Sequence, residues 1–343
     1  MFDKVITGTA NNDILKGSKK AEDILGLAGN DTLLGKGGDD RLNGGLGNDQ
    51  LFGGKGKDLF IASEGNDLHD GGNGFDTVSY VNATARISIN LNFAVTNGPV
   101  WNNGHSYSNI EVYIGSAFDD RMVSNADGAQ FKGGAGDDFL WGLNGKDKFY
   151  GQKGDDILWG VGGNDFIDGG AGDDELRGDA GNDRLLGGGG KDDIEGGTGK
   201  DVLKGGGGKD TLAGDAGKDR LDGGGGDDVL EGGDGNDILK GAKGNDELIG
   251  GNGNDKLWGG AGADDFEFGN DFGGTNGHDV IKDYDFGDRD TINLFEWYFD
   301  LATVLANTTM VSGNAVIDLD GDGTLTLEGI AKSQFTDDMF LFL

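Results

Sequence analysis

From Gly133 to Glu267 the chain divides into fifteen consecutive units of nine residues with no slip in phase. Every unit opens with glycine, repeats glycine at its fourth place, sets aspartate at its sixth and puts Leu, Ile or Phe at its eighth. A chain built this way is read as a stack of identical modules before any other reading is tried. The last three places, polar–apolar–variable, make a minimal strand with one inward side chain. The first six places make a turn, because glycine adopts positive φ at no steric cost and lets backbone carbonyls come close to a ligand. One unit cannot bury its single apolar residue, whereas stacked units bury a continuous ladder of them.

The same phase occupies an earlier block. Units begin at Gly8, Gly17, Gly26, Gly35, Gly44 and Gly53, with weaker ones at Ala62 and Gly71. In unit 17–25 Lys20 replaces the fourth-place glycine and Glu22 the aspartate, and in unit 62–70 His69 stands at the apolar eighth place. Residues 80–114 break the pattern, which re-enters at 115–123 and 124–132 with apolar eighth places but few ligand positions. The expected organisation is a first repeat block over 1–79, an insert over 80–114 that continues the stack, a second block over 115–267, and a C-terminal region over 268–343.

The sixth-place side chains supply the chemistry. They are Asp31, Asp40, Asp49 and Asp58 in the first block. In the second they are Asp138, Asp147, Asp156, Asp165, Asp174, Asp183, Asp192, Asp201, Asp210, Asp219, Asp228, Asp237, Asp246, Asp255 and Asp264. Carboxylates and backbone carbonyls are the ligands of Ca²⁺, which takes about 6–8 oxygens. No thiolate or imidazole recurs at these spacings, which argues against a soft metal. The competing reading is a solvated acidic face on a metal-free solenoid. Against it, carboxylates repeated every ~4.8 Å repel unless cations lie between them.

These residues carry a close resemblance to the hemolysin-type calcium-binding (RTX) family over 8–79 and 115–267. The resemblance implies an all-β, right-handed parallel β-roll, a β-helical solenoid in which two nonapeptides complete one turn and calcium sits between turns two units apart. It also implies about 13 sites in the second block and at most about six in the first. About 19 ions would add roughly +38, close to the formal net charge of -34. Calcium then becomes a condition of folding.

Composition excludes several classes. The negative charge opposes nucleic-acid binding through phosphates. There is no cysteine, and no apolar run approaches the length of a membrane span. The opening residues, MFDKVITGTA, lack the basic stretch and apolar core of a cleaved signal peptide, so export needs another route. The final DDMFLFL resembles the uncleaved C-terminal signal of substrates of the type I secretion apparatus, and it also reads as a last capping strand. Extracellular localisation is expected.

In the C-terminal region the runs DVIKDYDF, DTINLF, AVIDLD and TLTLEG read as antiparallel cap strands, and 296–306 as one amphipathic helix. DLDGDGTLTLEG offers Asp318, Asp320, Asp322 and Gly323 at EF-hand places, but Glu328 falls one place short of the closing ligand, which favours a hairpin turn.

No catalytic constellation is found. No H-E-x-x-H is present, and GHSYS (104–108) departs from the lipase elbow at Ser108, which argues against Ser106 as a nucleophile. The expected function is therefore non-enzymatic: calcium binding with surface association, adhesion, or binding of matrix polysaccharide. The alternatives are an accessory module of a secreted enzyme or toxin, and a polysaccharide-modifying enzyme. Trp141 and Trp159, 18 residues apart with Phe139 and Ile157 beside them, are expected to adjoin; they are either covered by the insert or exposed as a platform for sugar rings.

Overall fold

A computed structural model describes residues 2–92, 105–268, 277–294, 300–319 and 323–341. Two compact units are present, Met1–Trp159 and Gly160–Leu343, and both are parallel β-solenoids.

In the second unit the ladder register is 18 residues. Ile167, Leu185, Leu203, Leu221, Leu239 and Leu257 oppose one another in sequence along one sheet. Leu176, Ile194, Leu212, Leu230, Leu248 and Phe266 do so along the other. All of them are fully buried. The alternation explains this: eighth-place side chains point inward, while the seventh and ninth places face outward. Each buried Leu contributes roughly 1.5–3 kcal/mol, and it can do so only because a coil above and a coil below close over it.

The turns explain the glycines. Gly208, at a fourth place, has φ of +141°, and a Cβ there would lie 1.6 Å from the carbonyl oxygen of Gly190. Both the left-handed backbone and the close approach of the preceding coil exclude a side chain. Second places are also left-handed but tolerate other residues, such as Val161 at φ +73° and Lys36 at φ +75°.

The first unit is built the same way. Ile6, Ile24, Leu42, Phe60 and Val78 form one column. Leu15, Leu33, Leu51, His69 and Tyr107 form a second. Residues of the insert join in parallel: Val112–Ile114 lies between Thr77–Ser79 and Gln130–Ala135, and Ser88–Asn90 pairs with Arg121–Val123. Ser106–Ser108 lies in a strand beside Leu68–Gly74, not on a strand-to-helix turn.

The C-terminal region corrects the expectation that all four of its runs are antiparallel. Gly277–Ile281 pairs in parallel with Lys256–Ala261, and Thr291–Leu294 in parallel with Asp265–Phe268. Ile281 and Ile292 extend the two apolar columns, so these strands are further coils. Period-2 alternation specifies a strand with one buried face but not its direction. Among the described residues the antiparallel cap consists of Thr308–Val311, Asn314–Asp318 and Gly323–Leu327. The last of these also pairs in parallel with Gly277–Ile281, placing Leu327 against Ile281. The hairpin reading of DLDGDG fits the pairing of Asp318 with Thr324, although 320–322 lie outside the described residues. The described helix is Leu301–Ala306, capped by Asp300 Oδ1 accepting from Thr303 N at 2.7 Å; residues 296–299 of the expected run lie outside the described residues. Phe340–Leu341 pairs with Thr291–Leu294, so this part of the tail is a capping strand.

Candidate calcium-binding site

The sixth-place aspartates form hydrogen-bonded columns. In the second unit the backbone amide of each donates to Oδ1 of the aspartate 18 residues on. One column runs Asp165, Asp183, Asp201, Asp219, Asp237 and Asp255, with distances of 2.7 or 2.8 Å. The other runs Asp174, Asp192, Asp210, Asp228, Asp246 and Asp264, at 2.9 or 3.0 Å. The first unit repeats the pattern through Asp31 to Asp49 at 2.7 Å, Asp40 to Asp58 at 2.8 Å, and Asp138 to Asp156 at 2.7 Å. Asp147 Oδ1 accepts from the Ala129 amide and from Ser124 Oγ, both at 2.6 Å.

The second carboxylate oxygen tells more. In Asp31, Asp40, Asp49, Asp58, Asp138, Asp183, Asp192, Asp201, Asp210, Asp219, Asp228, Asp237, Asp246, Asp255 and Asp264, Oδ2 is buried and has no hydrogen-bond partner. Leaving one such oxygen buried is costly, and a whole column multiplies that cost. First-place glycines mark what the space holds. A Cβ on Gly26 would meet Asp31 Oδ2 at 2.4 Å and the Gly44 carbonyl oxygen at 2.4 Å. On Gly205 it would meet Asp210 Oδ2 at 2.4 Å and the Gly223 carbonyl oxygen at 2.7 Å. The missing side chain leaves a cradle in which a carboxylate oxygen and a carbonyl oxygen of the next coil converge. That all-oxygen donor set fits a hard divalent cation.

Electrostatics agree with this fit. Asp138 is pushed up to about 8 and Asp58, Asp219 and Asp255 up to about 7, by burial first and by neighbouring carboxylates, with the donated backbone amides holding the rise back. A column that holds protons this tightly is one that a cation can occupy in their place.

The columns also include residues that were not expected as ligands. The Asp13 amide donates to Asp31, and the Glu22 amide to Asp40. Asp49 donates to Asp67, Asp58 to Asp76, and Asp120 to Asp138. Asp76 in turn donates to Glu111 Oε2 at 2.6 Å. Asp255 donates to Asp279 and Asp264 to Asp290. Asp13, Glu22, Asp67, Asp76 and Asp120 stand in phase at sixth places, so the repeat itself pointed to them. Glu111, Asp279 and Asp290 stand outside it, and only folding shows their place.

Trp141 and Trp159 do adjoin, with ring centroids 5.3 Å apart and Phe139 at 5.6 Å from each. All three are half-buried, and the Arg121 guanidinium lies 4.6 Å from the Phe139 ring. Among the described residues no helix is long and apolar enough to cross a membrane.

Paired columns of carboxylates on a parallel apolar coil define a calcium-binding β-roll. The family model of the RTX calcium-binding nonapeptide repeat matches residues 16–51, 44–78, 124–158, 159–194, 186–221, 195–230, 214–248 and 231–266, more than half of the chain. The chain belongs to that family, whose repeats bind calcium. No curated protein sequence matches the chain. Among solved structures it is similar to the extracellular lipase LipA from Serratia marcescens, at 17% identity and a TM-score of 0.30. That match covers 72% of this chain and 46% of the lipase chain, so this chain spans less than half of that structure's length.

Proposed function

We propose that the protein is a secreted, non-catalytic β-roll that folds when it meets extracellular calcium and then associates with a cell surface or matrix polysaccharide. The observation that carries this reading is the column of buried Oδ2 atoms with no hydrogen-bond partner. Such a chain is poorly folded where calcium is scarce, which suits passage through a type I secretion apparatus. It folds where calcium reaches about 10⁻⁴–10⁻³ M. Between about 13 and 19 ions fill the columns, enough to offset most of the -34 charge.

The half-buried strip of Phe139, Trp141 and Trp159 supports the surface role, because aromatic faces beside a cation stack on sugar rings. Trp fluorescence of the calcium-loaded protein, titrated with acidic and neutral exopolysaccharides, tests it. A saturable change that Trp141→Ala removes supports the polysaccharide reading, and no change with any glycan contradicts it. Protease resistance measured across calcium concentration tests the folding half separately.

A further inference from the structure

The aspartate column through Asp13, Asp31, Asp49 and Asp67 changes its chemistry at the next coil. The Asp67 amide donates not to a carboxylate but to His105 Nδ1, at 3.1 Å. His105 therefore occupies the sixth-place position of the coil that follows. One strand away, His69 occupies an eighth-place position in the apolar column, between Leu51 and Tyr107. It is fully buried; the Ser106 backbone interacts weakly with its ring, and neither ring nitrogen makes a hydrogen bond of full geometry. Its ring stacks on Tyr107 and meets Phe60 edge-on, with centroids 5.6 and 5.7 Å away. Two substitutions that each look like decay of the repeat thus bring two imidazoles together, their centroids 5.4 Å apart.

Asp67 completes the group. One ligand atom from each of Asp67, His69 and His105 lies within 4.8 Å of the other two, and all three residues are buried. Asp67 Oδ2 and His105 Nδ1 are 3.6 Å apart. Ligands about 2.0–2.1 Å from a tetrahedral zinc ion stand about 3.3 Å from each other, so this pair needs to close only slightly. Two imidazoles and one carboxylate form a borderline donor set that suits Zn²⁺, Co²⁺ or Ni²⁺ and suits calcium poorly. Burial holds His69 in its neutral, metal-binding form, pushing it down to about 3 with the neighbouring His105 adding to the effect.

We infer that Asp67, His69 and His105 form a binding site for one divalent metal ion of the zinc class, separate in chemistry from the calcium columns. The ion would join Asp67 and His69 on one coil to His105 on the next, fastening the start of the insert's second half to the first repeat block. A metal on Nδ1 displaces the Asp67 amide, so one hydrogen bond is exchanged for a coordinate bond. The site also gives His69 a reason to be where it is. An imidazole so poorly paired in an apolar column weakens that column unless something binds it.

The test uses the full chain saturated with calcium, titrated with ZnCl₂ and with CoCl₂ and followed by calorimetry and by the visible absorption of tetrahedral cobalt. One equivalent of zinc should bind, and cobalt should give the tetrahedral spectrum. His69→Leu, which restores the apolar eighth place, should lose that equivalent, fold at the same calcium concentration and melt higher than wild type when zinc is absent. His105→Asn, which keeps an acceptor for the Asp67 amide, should weaken zinc binding by about 100-fold or more. His278→Gln, at the exposed histidine that contacts Thr324, should bind as wild type does. Absence of a saturable equivalent in the calcium-loaded wild type, or an equivalent that survives His69→Leu, overturns the assignment.

Discussion

The backbone amide of Asp201 donates to Asp219 Oδ1 at 2.8 Å, while Asp219 Oδ2 is buried with no hydrogen-bond partner. One carboxylate thus does two jobs. Its first oxygen sets the register between coils, and its second is left free for the cation that the proposed function requires. Because the two jobs sit on different atoms, they can be separated by substitution.

Asp219→Asn keeps an oxygen for the Asp201 amide and removes the charge. In metal-free buffer it should raise residual folded content, since Asp219 is pushed up to about 7 by burial and by Asp201 and Asp237 on either side. In calcium it should shift the folding midpoint to higher calcium and release at least one bound ion. Circular dichroism at the two limits and ion counting by mass spectrometry check both signs.

Glycine substitutions should divide by place. Gly208→Ala puts a Cβ 1.6 Å from the Gly190 carbonyl oxygen at φ +141° and should cost about 2–4 kcal/mol. Gly207→Ala, one residue away, meets nothing within 4 Å and should be within about 0.5 kcal/mol of wild type. Thermal melts of the two calcium-loaded variants give the comparison.

Acidity should act in opposite directions with and without metal. The folded columns bind protons more tightly than the unfolded chain does: Asp58 is pushed up to about 7, Asp138 to about 8 and Asp183 to about 6 from an ordinary value of 3.8, by burial first. Ionising them therefore costs the folded state, with no cost below about pH 4 and the full cost above about pH 8. Metal-free protein should gain structure as pH falls from 8 to 5. With calcium present, protons compete for the same oxygens, and the calcium midpoint should rise over that range. Calcium titrations at pH 5, 6, 7 and 8 check both trends.

Leu212→Ala should cost about 2–5 kcal/mol, because Leu212 is fully buried between Ile194 and Leu230 and the coils cannot collapse onto the gap. The loss should be local in a stacked array: hydrogen exchange should rise in the coils next to Leu212 and stay near wild type several coils away.

The strict nonapeptide phase made the coil, its inward column and the two columns of sixth-place aspartates legible, because one residue type at one place recurs with the period of the structure. Glu22 and Asp67 were equally in phase, but one carried the wrong side chain and the other stood in a degraded unit. What was not legible depends on contacts between positions with no common period. Glu111 caps the Asp76 amide from across the insert, and Asp279 and Asp290 extend the columns beyond the last repeat. The strands Gly277–Ile281 and Thr291–Leu294 alternate like any half-buried strand, so their parallel direction came only from the coil that they extend. His69 and His105 looked unrelated in sequence, because the residues between them hold no common period that would predict their meeting.

The most direct measurement is far-ultraviolet circular dichroism of the chelator-treated protein, titrated with calcium and, in parallel, with magnesium. Cooperative gain of β-structure with calcium at about 10⁻⁴–10⁻³ M, and little with magnesium at the same concentrations, is the predicted result. Full β-structure in chelator, unchanged on adding calcium, would contradict the account.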